Sequence, residues 1–184
     1  VFLENLKASA LKKDMSYEII DVSVSTNVKF YTSVDPGSYI PTHWHRAIEI
    51  IYMQEGALDV TVETENFTIH AGDCILINGN VLHSTKCTIP NKAIVLQIPL
   101  EFIAKYISNL NQLIFYLDYR TKNSVKQTKL SMLKTTLEQL QIIDDIRPDG
   151  YILRFNSLIF ELLFQLYHNF SVKVFQRDIG HQKK

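Results

Sequence analysis

The feature that most constrains the fold is a change of sequence period at Pro99. Before it, short runs of β-branched and aromatic residues alternate with turn signals such as Asp35-Pro36-Gly37 and Asn78-Gly79-Asn80. These runs predict strands near 17–24, 28–34, 38–45, 48–54, 57–63, 66–70, 74–78, 82–88 and 93–98. Many short strands at close spacing indicate a barrel or sandwich. After Pro99 apolar residues recur every three or four positions, so the chain is of the α+β class.

The helical part contains three apolar stripes, Ile103–Leu117, Leu130–Ile143 and Ile152–Phe170. The third is apolar on more than one face, which predicts either a dimer interface or a fully buried helix. We divide the chain into an amphipathic arm or helix at 1–13, a barrel at 14–99, a helical dimerisation segment at 100–170 and a linker at 171–184. An arm at 1–13 would fold over the barrel mouth; the alternative is an ordinary covering helix.

Composition restricts the classes of function. Nineteen basic and nineteen acidic residues cancel, whereas a nucleic-acid binder usually carries a basic surplus, so we do not expect this fragment to bind DNA alone. No apolar run approaches the roughly 18 residues of a membrane span. Cys74 and Cys87 lie in apolar runs, which favours free thiols in a reduced cytoplasm, although the sequence leaves a disulfide open.

One constellation of spaced residues contains the candidate metal-binding or ligand-binding side chains. It consists of Gly37, His43, His45, Glu49 and Gly56, followed by Gly72, Asn78, Asn80 and His83. Alternate strand residues face one side, so His43 and His45 point together. Glu49 would be about 13 Å from His45 on one straight strand. A reversal at Arg46-Ala47 would instead place Glu49 on a neighbouring strand, and with His83 from a third strand the four side chains would converge at the barrel mouth.

Three imidazoles and a carboxylate suit a divalent transition metal such as Zn, Fe, Ni, Mn or Cu. They suit a small polar ligand equally well. The alternative is that the histidines are satisfied core residues and that Glu49 is solvated. Tyr31, Tyr39 and Arg46 are close enough in sequence to line the mouth, since aromatic planes stack on sugars and arginine binds carboxylates or phosphates. Packing or surface roles are the alternative for each of these three.

The constellation resembles the two motifs of the cupin superfamily. The first motif matches at all its fixed positions, and the second matches at Gly72 and His83. The second departs at Asn78, where cupins usually have Pro, at Asn80, where they usually have Gly, and at Cys87, where many have Asn. Residues 43–84, ending in Ile-Asn-x-Asn-x-x-His-Ser, resemble more narrowly the sensor domains of AraC-type transcription regulators.

The resemblance implies a jelly-roll barrel that binds a small effector, often a sugar, and helices that pair two protomers. DNA would be bound by a separate C-terminal helix-turn-helix domain that follows this fragment. Such sensors keep the His and Glu residues without needing a metal, whereas catalytic cupins hold one with the same four. The rival hypothesis is therefore a metal-dependent cupin enzyme, a dioxygenase or isomerase, and a third is a dimerisation or carbohydrate-binding module without switching.

Overall fold

A computed structural model describes residues 16–174 of the chain. The predicted arm at 1–13 lies outside the described residues, as do residues 175–184 of the predicted linker. The strands are β1 Ser16–Tyr17, β2 Lys29–Asp35, β3 Tyr39–Trp44, β4 Ala47–Val62, β5 Glu65–His70, β6 Cys74–Ile77, β7 His83–Pro99, β8 Leu113–Phe115 and β9 Ser171–Lys173. The helices are α1 Leu100–Ile103, a 3-10 turn at Leu110–Gln112, α2 Ser124–Ile146 and α3 Tyr151–Asn169.

Two predicted strand pairs are continuous strands. The runs at 48–54 and 57–63 form the single strand β4, and those at 82–88 and 93–98 form β7. The turn signals between them mark bulges that lie opposite each other on the two strands. The β4–β7 register shifts on both sides of Gly56, where Glu55 pairs with Lys92 and Ala57 pairs with Ile89. Gly56 has φ +73°, and a Cβ there would lie 2.2 Å from the Pro90 carbonyl oxygen. The bulge in β4 therefore requires glycine at position 56, although the chain does not reverse direction there.

Strand β7 organises the sheet. It pairs antiparallel with β2, β3 and β4, and β4 pairs in turn with β5 and β6. The short β1 runs parallel to β3. The predicted strand at 17–24 is reduced to its first residue, because residues 18–23 are irregular and a turn follows at 24–26. The curled sheet is a half-barrel, as predicted for a jelly-roll type of fold.

Apolar side chains form two cores. Met53, Ile69 and Ile75 fill the barrel interior, while Ile48 and Ile50 face outward and pack against the helices. Strand β4 is apolar on both sides for this reason, since it is covered on both faces. Cys74 and Cys87 are both free and buried, which confirms the expectation of free thiols.

The second and third apolar stripes form α2 and α3 as predicted. Asn123 caps α2 by accepting a hydrogen bond from the Lys126 amide at 3.1 Å, and Arg147 ends it in the left-handed region. Leu137 and Ile159 are buried between the helices and the outer face of the sheet. Among the described residues, no helix has the length and hydropathy to span a bilayer.

The first stripe, Ile103–Leu117, was expected to be helical, and this prediction is wrong. Helix α1 stops at Ile103, and residues 113–115 form β8, which pairs with β9 at the start of the predicted linker. The Asn78 side chain fixes β8: its amide donates to the Phe115 carbonyl at 2.8 Å, and its oxygen accepts from the Phe115 amide at 3.0 Å. This tertiary contact overrides the helical period.

Candidate metal and ligand site

The four residues singled out by spacing converge in the structure. His43 lies near the end of β3, His45 in the reversal before β4, Glu49 on β4 and His83 at the start of β7. The ring centroid of His83 is 4.2 Å from that of His43 and 4.9 Å from that of His45. The predicted reversal beside Arg46 is present, so Glu49 comes from a different strand than His43.

The loop between β6 and β7 delivers His83 and holds His45. The Asn80 amide donates to the His45 carbonyl oxygen at 2.8 Å. Asn80 has φ +65°, in the left-handed region where glycine is usual and asparagine is the next best tolerated residue. Two of the three departures from the cupin motif therefore have separate reasons: Asn80 supports the turn, and Asn78 binds β8.

All three imidazoles are oriented by their Nδ1 atoms. Nδ1 of His43 lies 2.9 Å from the Pro41 carbonyl oxygen, that of His45 lies 3.1 Å from the Ala47 carbonyl, and that of His83 lies 2.9 Å from the Val81 carbonyl. A carbonyl only accepts, so each Nδ1 carries the proton. In the neutral rings each Nε2 then presents a lone pair to the pocket, which is the arrangement of metal-binding histidines.

The Glu49 carboxylate faces these lone pairs. Its Oε2 is 2.8 Å from His45 Nε2 and 3.7 Å from His83 Nε2, and it accepts a hydrogen bond from Gln97 Nε2 at 2.9 Å. Burial raises the pKa of Glu49, but the neighbouring imidazoles of His45 and His83 and the hydrogen bond from Gln97 outweigh it and hold the pKa well below its usual range. Burial lowers the pKa of His83, but the Glu49 carboxylate and the Val81 carbonyl raise it overall.

The donor set fits a divalent cation. The ligand atoms of His43, His45 and His83 all lie within 4.8 Å of one another. Bonds of about 2.1 Å place nitrogen ligands about 3.0–3.4 Å apart at octahedral or tetrahedral angles, so the imidazoles would close by up to about 1.8 Å around a shared metal. His83 Nε2 is buried without a hydrogen-bond partner, and a metal would supply one. The prediction of a transition metal is therefore compatible with the geometry.

Gln97 is a site residue that sequence reasoning missed. It is 3 % exposed, and it holds the carboxylate of Glu49 from strand β7. Its signal was present in the sequence, because it is the single polar residue in the apolar run Ala93–Pro99. Glu18 was also missed, and no pattern marked it: its Oε2 lies 3.3 Å from His43 Nε2.

The pocket beside these residues is a cavity of about 400 Å³. Its wall includes Ser16, Tyr17, Glu18, Tyr31, Ile40, Pro41, His43, Glu49, His83, Thr85 and Gln97. Burial, together with the negative charges of Glu49 and Glu18, raises the pKa of Tyr31 to about 12. Its hydroxyl therefore keeps its proton at neutral pH and is a donor for a bound molecule, in agreement with the predicted position of Tyr31.

Tyr39 and Arg46 do not line this cavity. A register shift between Ile40 and His43 exchanges the faces of β3, so Ile40 borders the cavity while Tyr39 is 62 % exposed. Arg46 pairs with Glu101 at 3.0 Å and borders a different cavity beside α1. Both predictions rested on nearness in sequence, which does not determine the direction of a side chain at the irregular end of β3 or at the reversal.

Comparison with known families agrees with the geometry. The cupin domain family model matches residues 30–99. Residues 30–99 form a cupin domain. This match and the curled sheet confirm the predicted cupin fold with helices added after it. No curated protein sequence matches the chain significantly.

Three solved cupin structures illustrate the likeness. KdgF from a Halomonas species is 23% identical over 40% of this chain and 71% of its own, with a TM-score of 0.38. DMSP lyase DddQ from Ruegeria pomeroyi is 24% identical over 41% of this chain and 40% of its own, with a TM-score of 0.37. Oxalate decarboxylase OxdC from Bacillus subtilis is 22% identical over 41% of this chain and 22% of its own, with a TM-score of 0.37. The match thus spans less than half of the last two.

Proposed function

We propose that this chain is the ligand-sensing and dimerising part of an AraC-type transcription regulator. The cupin domain would bind a small polar metabolite, such as a sugar or sugar acid, in the cavity beside His43, Glu49 and His83. Helices α2 and α3 would pair two protomers. DNA binding would belong to a separate C-terminal domain of the full-length regulator, as the resemblance of residues 43–84 implies.

The observation that carries this proposal is the position of strand β4 between the pocket and the helices. Glu49 faces the pocket, whereas Tyr52 and Gln54 on the same strand contact α2. The Tyr52 hydroxyl donates to Glu138 at 2.9 Å, and the Gln54 amide donates to Gln141 at 2.7 Å. A ligand that shifts Glu49 would therefore act on a strand that is hydrogen-bonded to the helix pair, as a two-state sensor requires.

The dimer face would be the exposed seam of α3. Leu153, Phe160, Phe164 and Tyr167 repeat at intervals of seven, four and three residues, and they are 42–79 % exposed. Tyr106 extends this seam, since its ring lies 4.9 Å from that of Phe160. Apolar residues at this spacing pack well against the same seam of a second copy. The alternative of a fully buried α3 does not hold for a protomer on its own.

A metal-dependent cupin enzyme is the second candidate, and the three Nε2 atoms facing one point favour it. His43, His45, Glu49 and His83 would hold the metal, which would act as a Lewis acid toward an oxygen of the bound molecule. Gln97 would keep the Glu49 carboxylate in place, and Tyr31 would donate a hydrogen bond to the substrate.

A ligand screen distinguishes the two candidates. Sugars, sugar acids and small carboxylates are added to the metal-loaded protein, and the melting temperature is recorded for the wild type and for Glu49→Gln. We expect one chemical class to stabilise only the wild type, and NMR of the mixture to show that the ligand stays intact over hours. Steady conversion of the ligand in proportion to metal content would instead support the enzyme and contradict the sensor.

The dimer is tested separately by sedimentation equilibrium. We expect the wild type to be dimeric and Phe164→Glu to be monomeric, because the charge would be buried in the seam. Met132→Glu on α2 is the matched control, since Met132 is comparably exposed at 52 % but lies outside the seam. A monomeric wild type, or equal effects of the two substitutions, would contradict this interface.

A further inference from the structure

We infer that Glu18 is a fifth protein ligand of the cation site, a second carboxylate that closes the site from the N-terminal side. This inference rests on the proposed occupancy of the pocket by a divalent cation. It adds to the three histidines and Glu49 a residue that lies outside both cupin motifs.

Backbone contacts place Glu18 at the pocket. Strand β1 pairs in parallel with β3, with Ser16 opposite His43 and Tyr17 opposite Trp44. The Glu18 amide then donates to the Trp44 carbonyl oxygen at 2.9 Å, and the rings of Tyr17 and Trp44 lie 4.7 Å apart. Residues 16–18 are therefore held along the rim beside His43.

The two carboxylate oxygens of Glu18 have different neighbours. Oε1 accepts a hydrogen bond from Lys29 Nζ at 3.4 Å, and Oε2 lies 3.3 Å from His43 Nε2. His43 Nδ1 faces the Pro41 carbonyl, so Nε2 is the ring nitrogen beside the carboxylate. A cation at this point of the pocket would lie between a nitrogen ligand and an oxygen ligand that the fold already brings together.

The same arrangement occurs at His45, where Glu49 Oε2 lies 2.8 Å from Nε2. One divalent cation bound by all three Nε2 atoms would take both carboxylates as further ligands, and they would balance its charge. Lys29 keeps the outer oxygen of Glu18 turned away, so that a single oxygen faces the pocket. Such outer contacts orient ligands at metal sites.

The number of protein ligands determines how many metal positions remain open to a bound molecule. Three nitrogen and two oxygen ligands fill all but one position of an octahedron, whereas catalytic sites keep positions open for substrate or water. With Glu18 in place, the site would not admit a chelating substrate. A small molecule that chelates the metal through two atoms must displace Glu18, and with it the segment at 16–18.

Cobalt(II) reports the coordination number directly, and it tests the inference without any activity assay. Metal-free wild type, Glu18→Gln and the control Glu65→Gln, on an exposed strand residue, are titrated with Co²⁺ and followed by visible absorption. Glu18→Gln should bind Co²⁺ at least about tenfold more weakly. Acetohydroxamate, which chelates through two oxygen atoms and so needs two open metal positions, should change the spectrum of Glu18→Gln and leave those of the other two proteins unchanged.

Glu18→Asp gives a second variant that keeps the charge, and its affinity should lie between those of the wild type and Glu18→Gln. Melting curves in EDTA confirm that each protein is folded. Equal Co²⁺ affinity and equal acetohydroxamate response in the wild type and Glu18→Gln would overturn the inference. Absence of Co²⁺ binding to the wild type would overturn it too, while leaving the sensor proposal to its own ligand screen. Turnover of a ligand would contradict the sensor and not the role of Glu18.

Discussion

The two ends of the barrel interior are equally buried and chemically opposite. At one end Met53, Ile69 and Ile75 are at most 4 % exposed, and they pack with other apolar side chains. At the other end His45 and His83 are at most 2 % exposed, and they surround a carboxylate. Strand β4 contributes to both ends, since Glu49 and Met53 are four residues apart.

The difference in chemistry predicts that the two ends contribute to different properties, one to folding and the other to function. Burying apolar side chains stabilises the fold by roughly 1.5–3 kcal/mol for each large one. Burying imidazoles and a carboxylate costs free energy unless every polar atom finds a partner. His83 Nε2 lacks one, so the polar end should lower the stability of the metal-free protein, and we propose that a bound cation supplies the missing partner. The apolar end should therefore determine stability and the polar end binding.

The largest effect is expected for Met53→Ala at the apolar end. Met53 is fully buried, so the truncation should lower the free energy of unfolding by about 2–5 kcal/mol. Denaturant titration measures this loss, and Co²⁺ affinity of the folded variant should stay that of the wild type. A loss below about 1 kcal/mol would contradict the assignment of stability to this end.

A triple apolar replacement tests the polar end. Glu49→Leu, His83→Leu and Gln97→Leu together should abolish metal binding, yet leave the metal-free protein at least as stable as the metal-free wild type. Replacing buried charges by packed apolar groups is often neutral or stabilising by about 1–4 kcal/mol. The measurement is denaturant unfolding in EDTA. A loss comparable to that of Met53→Ala would show that the polar end also stabilises the fold.

The pH dependence of the metal-free protein sharpens the contrast. The lowered pKa of Glu49 contributes stability above its ordinary value of 4.5, and this is lost as the pH falls. The raised pKa of His83 contributes stability below its ordinary value of 6.5, and this is lost as the pH rises through the raised value. The melting temperature in EDTA should fall as the pH rises above about 6.5, and fall less in Glu49→Gln. Identical profiles would contradict the coupling of the two groups.

The smallest effect is expected for Arg46→Ala. Its partner Glu101 and Arg46 are each 57 % exposed, and exposed pairs contribute about 0–1 kcal/mol. Arg46 also lies outside the cavity of the polar end, so Co²⁺ affinity and ligand affinity should be unchanged. A loss of ligand binding would restore Arg46 to the site where the sequence analysis had placed it.

The sequence predicted what depends on regular period and spacing. Strand alternation placed His43 and His45 together, and the reversal beside Arg46 followed from the need to bring Glu49 to them. Helices α2 and α3 followed from their apolar stripes. These features are local, so the sequence contains them directly.

Features that depend on distant partners were missed or wrong. The stripe from Ile103 reads as a helix, but the Asn78 side chain holds β8 there from 37 residues away in the chain. Glu18 reaches the pocket only through the pairing of β1 with β3, and Tyr39 leaves it because β3 is irregular. No local pattern contains the information for such contacts.

Metal content is the most direct test of the polar end as a cation site. The wild type, His45→Ala and the control His70→Ala, at an exposed histidine, are purified without a metal-binding tag, incubated with Mn, Fe, Ni and Zn ions, and analysed for bound metal. We predict about one divalent ion per chain in the wild type and His70→Ala, and none in His45→Ala. Equal metal content in the wild type and His45→Ala, or no metal in the wild type, would contradict the account.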